Sequence, residues 1–487
     1  MKKLALLFVL VLTIPFFITG CTGESEEKYT SYTLFCEYDE ANHTLDGKES
    51  VEIFNKYENS LSELKFFLYP NSFSEGNEAV STSYFNRAYP TGEVSYGNIE
   101  IESVKSDDEA LSFAISEGGN ILTITLQEEI YPNEKVCLDI EFAVKLANIN
   151  HRLGYGENTV NFGNFYPVLC VYENGFVENS FVLNGDPFYS ETANYDVTLS
   201  FDKSFALASS GDIVSESVSG EDNVVKIEAK KVRDFAFTLS TKFQKVSSMV
   251  GDITVNYFYY DEANFNENLE VACKAMSTFQ ELFGEYPYKT INVAKTNFCF
   301  GGMEYPNLVF ISDEVEDAET YKYVIVHELA HQWWYSLIGN NEFSEAWLDE
   351  SLTEYSTALF FEKNDKYGIA YDDIISGALQ SYRLFVNTYK DILGDVDESM
   401  NRSLNEFNTE PEYVNCVYTK GVLMFDSVRN TLGDNKFFKC LQNYFADFEY
   451  KTATGQDLIE SFSKTSKAKL DGFFNAWLNG EVVLDNE

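Results

Sequence analysis

The sequence predicts an α+β protein in two main parts, a β-rich domain followed by an α+β domain that becomes almost wholly helical. Three observations carry this prediction. Strand-length runs of β-branched and aromatic residues recur through residues 29–247, separated by Gly, Asn, Asp and Pro, with no helical period between them. A three- and four-residue apolar period first appears over residues 264–282, flanked by strand-like runs. From Glu319 onward the apolar spacing is helical almost without interruption. With 487 residues, 45% of them hydrophobic and 23% charged, the chain can bury a large core without disulfides or a structural metal.

Residues 1–20 stand outside this fold. Lys2 and Lys3 precede the apolar run from Leu4 to Ile18, which Pro15 interrupts and which is too short for a good membrane span. The run ends Ile18-Thr19-Gly20-Cys21. A positive start, an apolar middle and small residues before a cysteine make a signal peptide. The junction resembles the bacterial lipobox, in which Cys21 would be lipidated and become the new N-terminus. A plain secretory signal and an uncleaved anchor are the alternatives. Residues 21–28 then read as a polar tether. The expected location is extracytoplasmic, lipid-anchored to a bacterial cell membrane. The other seven cysteines are widely spaced, form no C-x-x-C pair and in several cases lie in apolar runs, so no disulfide is required.

Within residues 29–247, strands are expected at 29–38, 49–54, 64–69, 121–126, 136–144, 195–201, 224–229 and 235–240. Their spacing suggests a large antiparallel β-sandwich or saddle. Aromatics are 16% of the chain; a carbohydrate-binding surface is one use, and core and cross-strand packing the favoured one. The second domain, residues 248–487, opens with strands at 253–260, 290–295 and 308–312 around the helix 264–282. Helices follow at about 320–338, 346–363, 369–392, 412–431, 434–447, 455–464 and 469–479. Gly339, Gly368 and Gly433 fall at helix ends or turns, whereas Gly421 falls inside a helical pattern.

The chemistry centres on His327-Glu328-Leu329-Ala330-His331. On a helix, residues four apart share one face, so two imidazoles project one turn apart and can hold a zinc ion, with Glu328 beside them to handle a proton. The chain has only four histidines, and two are here. A catalytic zinc takes three protein ligands and keeps one position open. Glu350 lies nineteen residues after His331, on the next expected helix, where a turn between antiparallel helices can set its carboxylate opposite the histidines. A surface or core role for the two histidines is the competing reading, and this spacing weighs against it. Glu354, four residues after Glu350, shares its helix face and could hydrogen-bond a ligand histidine, or simply be solvated. Asp349 reads as structural, and Trp333-Trp334 as core and cleft wall.

Together with Gly302-Met303-Glu304, the His327-Glu328-x-x-His331…Glu350 pattern resembles the M1 family of zinc aminopeptidases, gluzincins with a thermolysin-like catalytic domain. The likeness spans most of the chain after Cys21, to the closing Phe473-Phe-Asn-Ala-Trp-Leu. The family's Gly-Ala-Met-Glu-Asn motif stands here as Gly301-Gly302-Met303-Glu304-Tyr305, with Gly for Ala and Tyr for Asn. The resemblance implies that Gly301, Gly302 and Met303 pair with substrate backbone and that Glu304 receives a free α-ammonium. It implies that Tyr418, in Tyr418-Thr-Lys-Gly421, stabilises the oxyanion, that Glu328 is the general base, and that one Zn2+ per chain is held by His327, His331 and Glu350. It further implies peptide substrates with a free N-terminus. Many members carry a large C-terminal helical domain; the sequence ends soon after the catalytic domain, so a more open cleft with weak length discrimination is expected. A zinc endopeptidase is the rival within enzymes, and a surface-binding lipoprotein on a retired peptidase fold is the rival outside them. The formal net charge of −43 argues against nucleic acid or anionic lipid as partners, and no obligate protein partner is evident.

Overall fold

The computed structural model describes residues 29–482 and Leu484; the expected signal peptide (1–20), the lipidation site Cys21 and the tether (21–28) lie outside the described residues. The strand Thr30–Asp39 buries Tyr32, Leu34, Cys36 and Tyr38 and turns the residues between them outward, the period of two that a one-sided sheet demands. It lies in an eight-stranded sheet whose order is Asp212–Ser219, Asp222–Val232, Ala193–Asp202, Thr30–Asp39, Thr44–Phe54, Lys135–Lys145, Asn98–Ser106 and Glu109–Ala110. All pairings in it are antiparallel except one: Thr30–Asp39 runs parallel to Ala193–Asp202. The chain reaches Ala193 after a long excursion rather than through a hairpin, so no tight turn sets the direction of that strand. Two antiparallel four-stranded sheets complete this part.

A five-stranded sheet follows, in the order Gln244–Val250, Ile253–Tyr259, Thr290–Thr296, Leu308–Ser312 and Gly302–Met303. Its two inner pairings are parallel, and Gly302–Met303 lies antiparallel at one edge. Helices Phe265–Leu282, Ala318–Ala330 and Trp347–Lys363 pack behind it around Phe279, Leu329, Trp333 and Phe360. Met303, Tyr305 and Phe310 join the other core, that of the first half, so the edge strand is clamped between the two.

The helix expected over 320–338 ends at Ala330. The apolar run from Trp333 to Ile338 continues the helical spacing in sequence, yet it leaves the helix. Tyr335 takes a φ of 154°, and Ile338–Gly339 becomes a short strand beside Lys451–Thr452. Both tryptophans are fully buried and neither lines the cleft, so they are core and not cleft wall. The helix expected over 412–431 is Glu410–Val414 and Lys420–Leu432 joined by a wide π-type turn, Asn415–Thr419. Gly421 marks where that helix crosses Trp347–Lys363: a Cβ there would stand 2.2 Å from Ser351 Oγ and 2.5 Å from its Cβ. Ser351 Oγ donates to the Val417 carbonyl at 2.8 Å, which satisfies a carbonyl of the π turn. Among the described residues no large helical domain follows Asp471–Leu478, and no helix is long and apolar enough to cross a membrane. The seven described cysteines are all free thiols.

Candidate metal and peptide site

The last turn of Ala318–Ala330 carries His327 and Glu328, and His331 caps it. The two imidazole centroids are 5.0 Å apart. Trp347–Lys363 brings Glu350 opposite them, with its Oε2 3.4 Å from His327 Nε2 and 3.2 Å from His331 Nε2. One donor atom from each of His327, His331 and Glu350 falls within 4.8 Å of the others.

The outer ring nitrogens fix the tautomers. His327 Nδ1 donates to Glu354 Oε2 at 3.0 Å, and Tyr323 OH holds that carboxylate at 2.5 Å. His331 Nδ1 donates to the Trp334 carbonyl at 3.0 Å and also lies 3.1 Å from Thr353 Oγ1. With both Nδ1 atoms donating outward, both Nε2 atoms are turned toward Glu350 Oε2, a buried oxygen. Two imidazole nitrogens and a carboxylate oxygen converging on one point fit the donor set of a catalytic zinc, which would take the place of the protons on Nε2. Glu354 thus orients His327 and is itself held by Tyr323, rather than standing free in solvent. Asp349 accepts from Asn340 Nδ2 at 2.9 Å, a structural contact as expected.

The electrostatics favour concentrated positive charge here. Burial pushes the His327 imidazole down, but Glu350 and Glu354 outweigh it and raise it to about 10. Burial alone would raise Glu350; the two imidazoles hold it below the ordinary carboxylate range. Burial pushes Glu328 up to about 7. Burial raises Glu304 as well, against the pull of His331.

The edge strand sets the other wall of a cleft of about 390 Å³. Glu304 is buried there with its Oε1 unpartnered. Gln332, just past the histidine helix, fixes this stretch: its Nε2 donates to the Glu304 and Tyr305 carbonyls at 3.3 and 3.2 Å, and its Oε1 accepts from Asn307 N at 2.9 Å. Gly302 leaves room that Glu328 fills, since a Cβ there would come within 2.3 Å of Glu328 Oε1. Met303 is buried in the core and, unlike Gly301 and Gly302, does not line the cleft. Tyr305, which stands where the family motif has Asn, points away from the cleft. Its OH donates to Asn164 Oδ1 at 3.2 Å, and only a glycine at 163 leaves space for the ring.

Tyr418 sits on the π turn with its hydroxyl donating to Glu350 Oε1. The structure therefore gathers His327, His331, Glu350, Glu328, Glu304 and Tyr418 around one cleft, with Gly301 and Gly302 lining it. Three further lining residues come from distant loops and carry no sequence signal: Arg152 with its ion-pair partner Asp186, and Tyr84; Tyr413, on Glu410–Val414, lines the cleft as well. The Tyr413 hydroxyl is buried without a partner, and its ring packs edge-on against Tyr418 at 5.6 Å.

Comparison with known proteins agrees with this arrangement. Residues 267–477 match the family model "Peptidase family M1 domain". The chain is 23% identical to probable aminopeptidase 2 of Sulfurisphaera tokodaii, over 78% of this chain and 48% of that protein. It is 24% identical to aminopeptidase N of Lactococcus lactis, over 78% of this chain and 46% of that protein. The chain thus spans about half the length of these curated relatives. Its fold matches the crystal structure of the M1 zinc metallopeptidase from Deinococcus radiodurans with a TM-score of 0.67 at 14% identity, covering 94% of this chain and 96% of that one. A point mutant of that metallopeptidase, bound to a Tyr-Ser-Ala substrate, matches with a TM-score of 0.64 at 14% identity, over 93% and 94% of the two chains. Residues 267–477 thus match a peptidase family M1 domain, and the likeness of the whole chain to the M1 metallopeptidase is one of fold.

Proposed function

We propose that this protein is a zinc aminopeptidase that hydrolyses the first peptide bond of peptides bearing a free N-terminus. The observation that carries this reading is the position of Glu304, a buried carboxylate with an unpartnered oxygen beside the converging donors of His327, His331 and Glu350. A carboxylate buried there favours a cationic amine one residue from the scissile bond.

His327, His331 and Glu350 would hold one Zn2+, which when bound supplies a Lewis acid that lowers the pKa of a water and polarises a carbonyl. The remaining steps belong to the chain. Glu304 accepts the substrate ammonium and sets which end of the peptide is read. The free edge of Gly301–Met303 pairs with the extended substrate backbone. Glu328 takes the proton of the attacking water and passes it to the leaving amine, and its pKa near 7 suits both halves of that transfer. Tyr418 donates its O–H to the carbonyl oxygen as negative charge develops there. The proposed setting is the extracytoplasmic face of a bacterial membrane, with Cys21 as the lipid anchor.

Replacing Glu328 by Gln tests the mechanism. Turnover should fall by about 10²–10⁴-fold, the usual worth of a general base, while one zinc per chain stays bound. Full activity with normal zinc content would overturn the role given to Glu328.

A further inference from the structure

The cleft has a direction, and its far end carries a charge that the reaction itself does not use. Reading back along the edge strand, Glu304 comes first. Gly302 then lies against Glu328, and Gly301 faces Val324, whose Cγ2 would be 3.7 Å from an added Cβ. Phe300 follows, edge-on to Tyr84 at 4.7 Å between ring centroids. The histidine helix passes the same points in the order His331, Glu328, Val324. With the amine at Glu304 and the scissile carbonyl at His327, His331 and Glu350, the residues after the cleaved bond run toward Val324, Phe300 and Tyr84.

That end is closed by Glu410, the first residue of Glu410–Val414. Its Oε1 accepts from Tyr84 OH at 2.5 Å and its Oε2 from Ser83 Oγ at 3.0 Å, so both partners are neutral. The connection between Tyr69–Phe73 and Asn98–Ser106 brings these donors across from the β-rich part. Histidines aside, Arg152 is the one cation lining the cleft among the described residues, and it is paired with Asp186. Arg87 lies 5.8 Å from the Tyr84 ring centroid, is 4.0 Å from Glu314, and does not line the cleft. A peptide's terminal carboxylate placed at this end would meet Glu410 and no free cation.

We propose that Glu410 is a specificity-determining residue: it makes the leaving-group side of the cleft reject a free carboxylate and accept neutral or basic residues. The preferred substrates are then peptides that continue beyond the cleft, not dipeptides. This inference rests on the aminopeptidase reading, which orients the cleft. It also replaces the expectation of weak length discrimination with a specific bias against the shortest peptides.

The test uses the zinc-loaded protein with Ala-Gly and Ala-Lys, each as free acid and as C-terminal amide, following release of alanine. At low salt, kcat/KM should be at least about fivefold higher for each amide than for its acid, the size of one like-charge contact at the dielectric of bulk water. The ratio should shrink as salt is raised, and Glu410→Gln should bring it within about twofold at low salt by improving the acids. Equal rates for acid and amide in the wild type, a ratio indifferent to salt, or a ratio that survives Glu410→Gln would overturn the proposal. Failure to release alanine from any of the four would instead strike the aminopeptidase reading. The salt titration needs no variant, so the outcome does not depend on how well Glu410→Gln folds.

Discussion

Gly421→Ala turns the helix crossing beneath the site into a measurable quantity. In an ordinary helix interior the change would stabilise by about 1 kcal/mol, since alanine is the better helix former. Here the new methyl would stand 2.2 Å from Ser351 Oγ, 2.5 Å from its Cβ and 3.0 Å from its Cα. Normal contact between carbons is about 3.5–4.0 Å, so the two helices must part by roughly 1 Å. Overpacking of that kind costs about 1–3 kcal/mol, which outweighs the propensity gain. The separation falls beside Glu350 and Tyr418, whose contact joins Trp347–Lys363 to the π turn leading into Lys420–Leu432. A shift of about 1 Å at that contact is expected to lower kcat by up to about 100-fold. Urea unfolding would give the stability change, and a fluorogenic aminoacyl substrate the kinetics. Adding Ser351→Gly to Gly421→Ala should recover part of both losses. A Gly421→Ala protein that is more stable than wild type and fully active would refute the crossing as the reason for this glycine.

Other expectations follow from single contacts. Glu354→Gln leaves His327 Nδ1 with a weaker acceptor and should loosen zinc by about 10–100-fold, read by competition with a chromogenic chelator; unchanged affinity would return Glu354 to an ordinary surface acid. Glu49 is buried in the β-rich core with neither carboxylate oxygen partnered, and burial raises its pKa well above the ordinary 4.5. A carboxyl raised on folding contributes its full stability below pH 4.5 and loses it as pH climbs through the folded value. Glu49→Gln should therefore gain about 1–3 kcal/mol over wild type at pH 8 and little at pH 5, measured by denaturant midpoints, and a gain independent of pH would contradict this.

Much of this was legible in the sequence, for physical reasons. His327 and His331 share one helix end and Glu350 opens Trp347–Lys363, so helical period and a connection of under twenty residues bring them together. Runs of β-branched and aromatic residues bounded by Gly, Asn, Asp and Pro marked Thr30–Asp39 and its neighbours as strands. The helix end at Ala330 was hidden because Trp333–Ile338 keeps an apolar spacing that suits a helix and a buried turn equally well. The π turn at Asn415–Thr419 was hidden because its freed carbonyl is satisfied by Ser351, far away in sequence. Asp186, Arg152 and Tyr84 belong to the cleft only through docking of the two halves, and so does the Tyr84–Glu410 contact, which no local pattern records. Tyr305 shows the converse. It departs from the family motif, and the compensation is a glycine at 163 on the other side of the interface.

The central claim is that Glu304 reads a free amine. Its most direct test is a pair of peptides that differ only by N-terminal acetylation, given to the zinc-loaded protein. Acetylation removes the cation and leaves the Glu304 carboxylate buried without a counter-charge, a loss of about 2–5 kcal/mol. The account predicts that kcat/KM for cleavage of the first peptide bond falls by at least about 30-fold on acetylation. Equal cleavage of the free and acetylated peptides would contradict it.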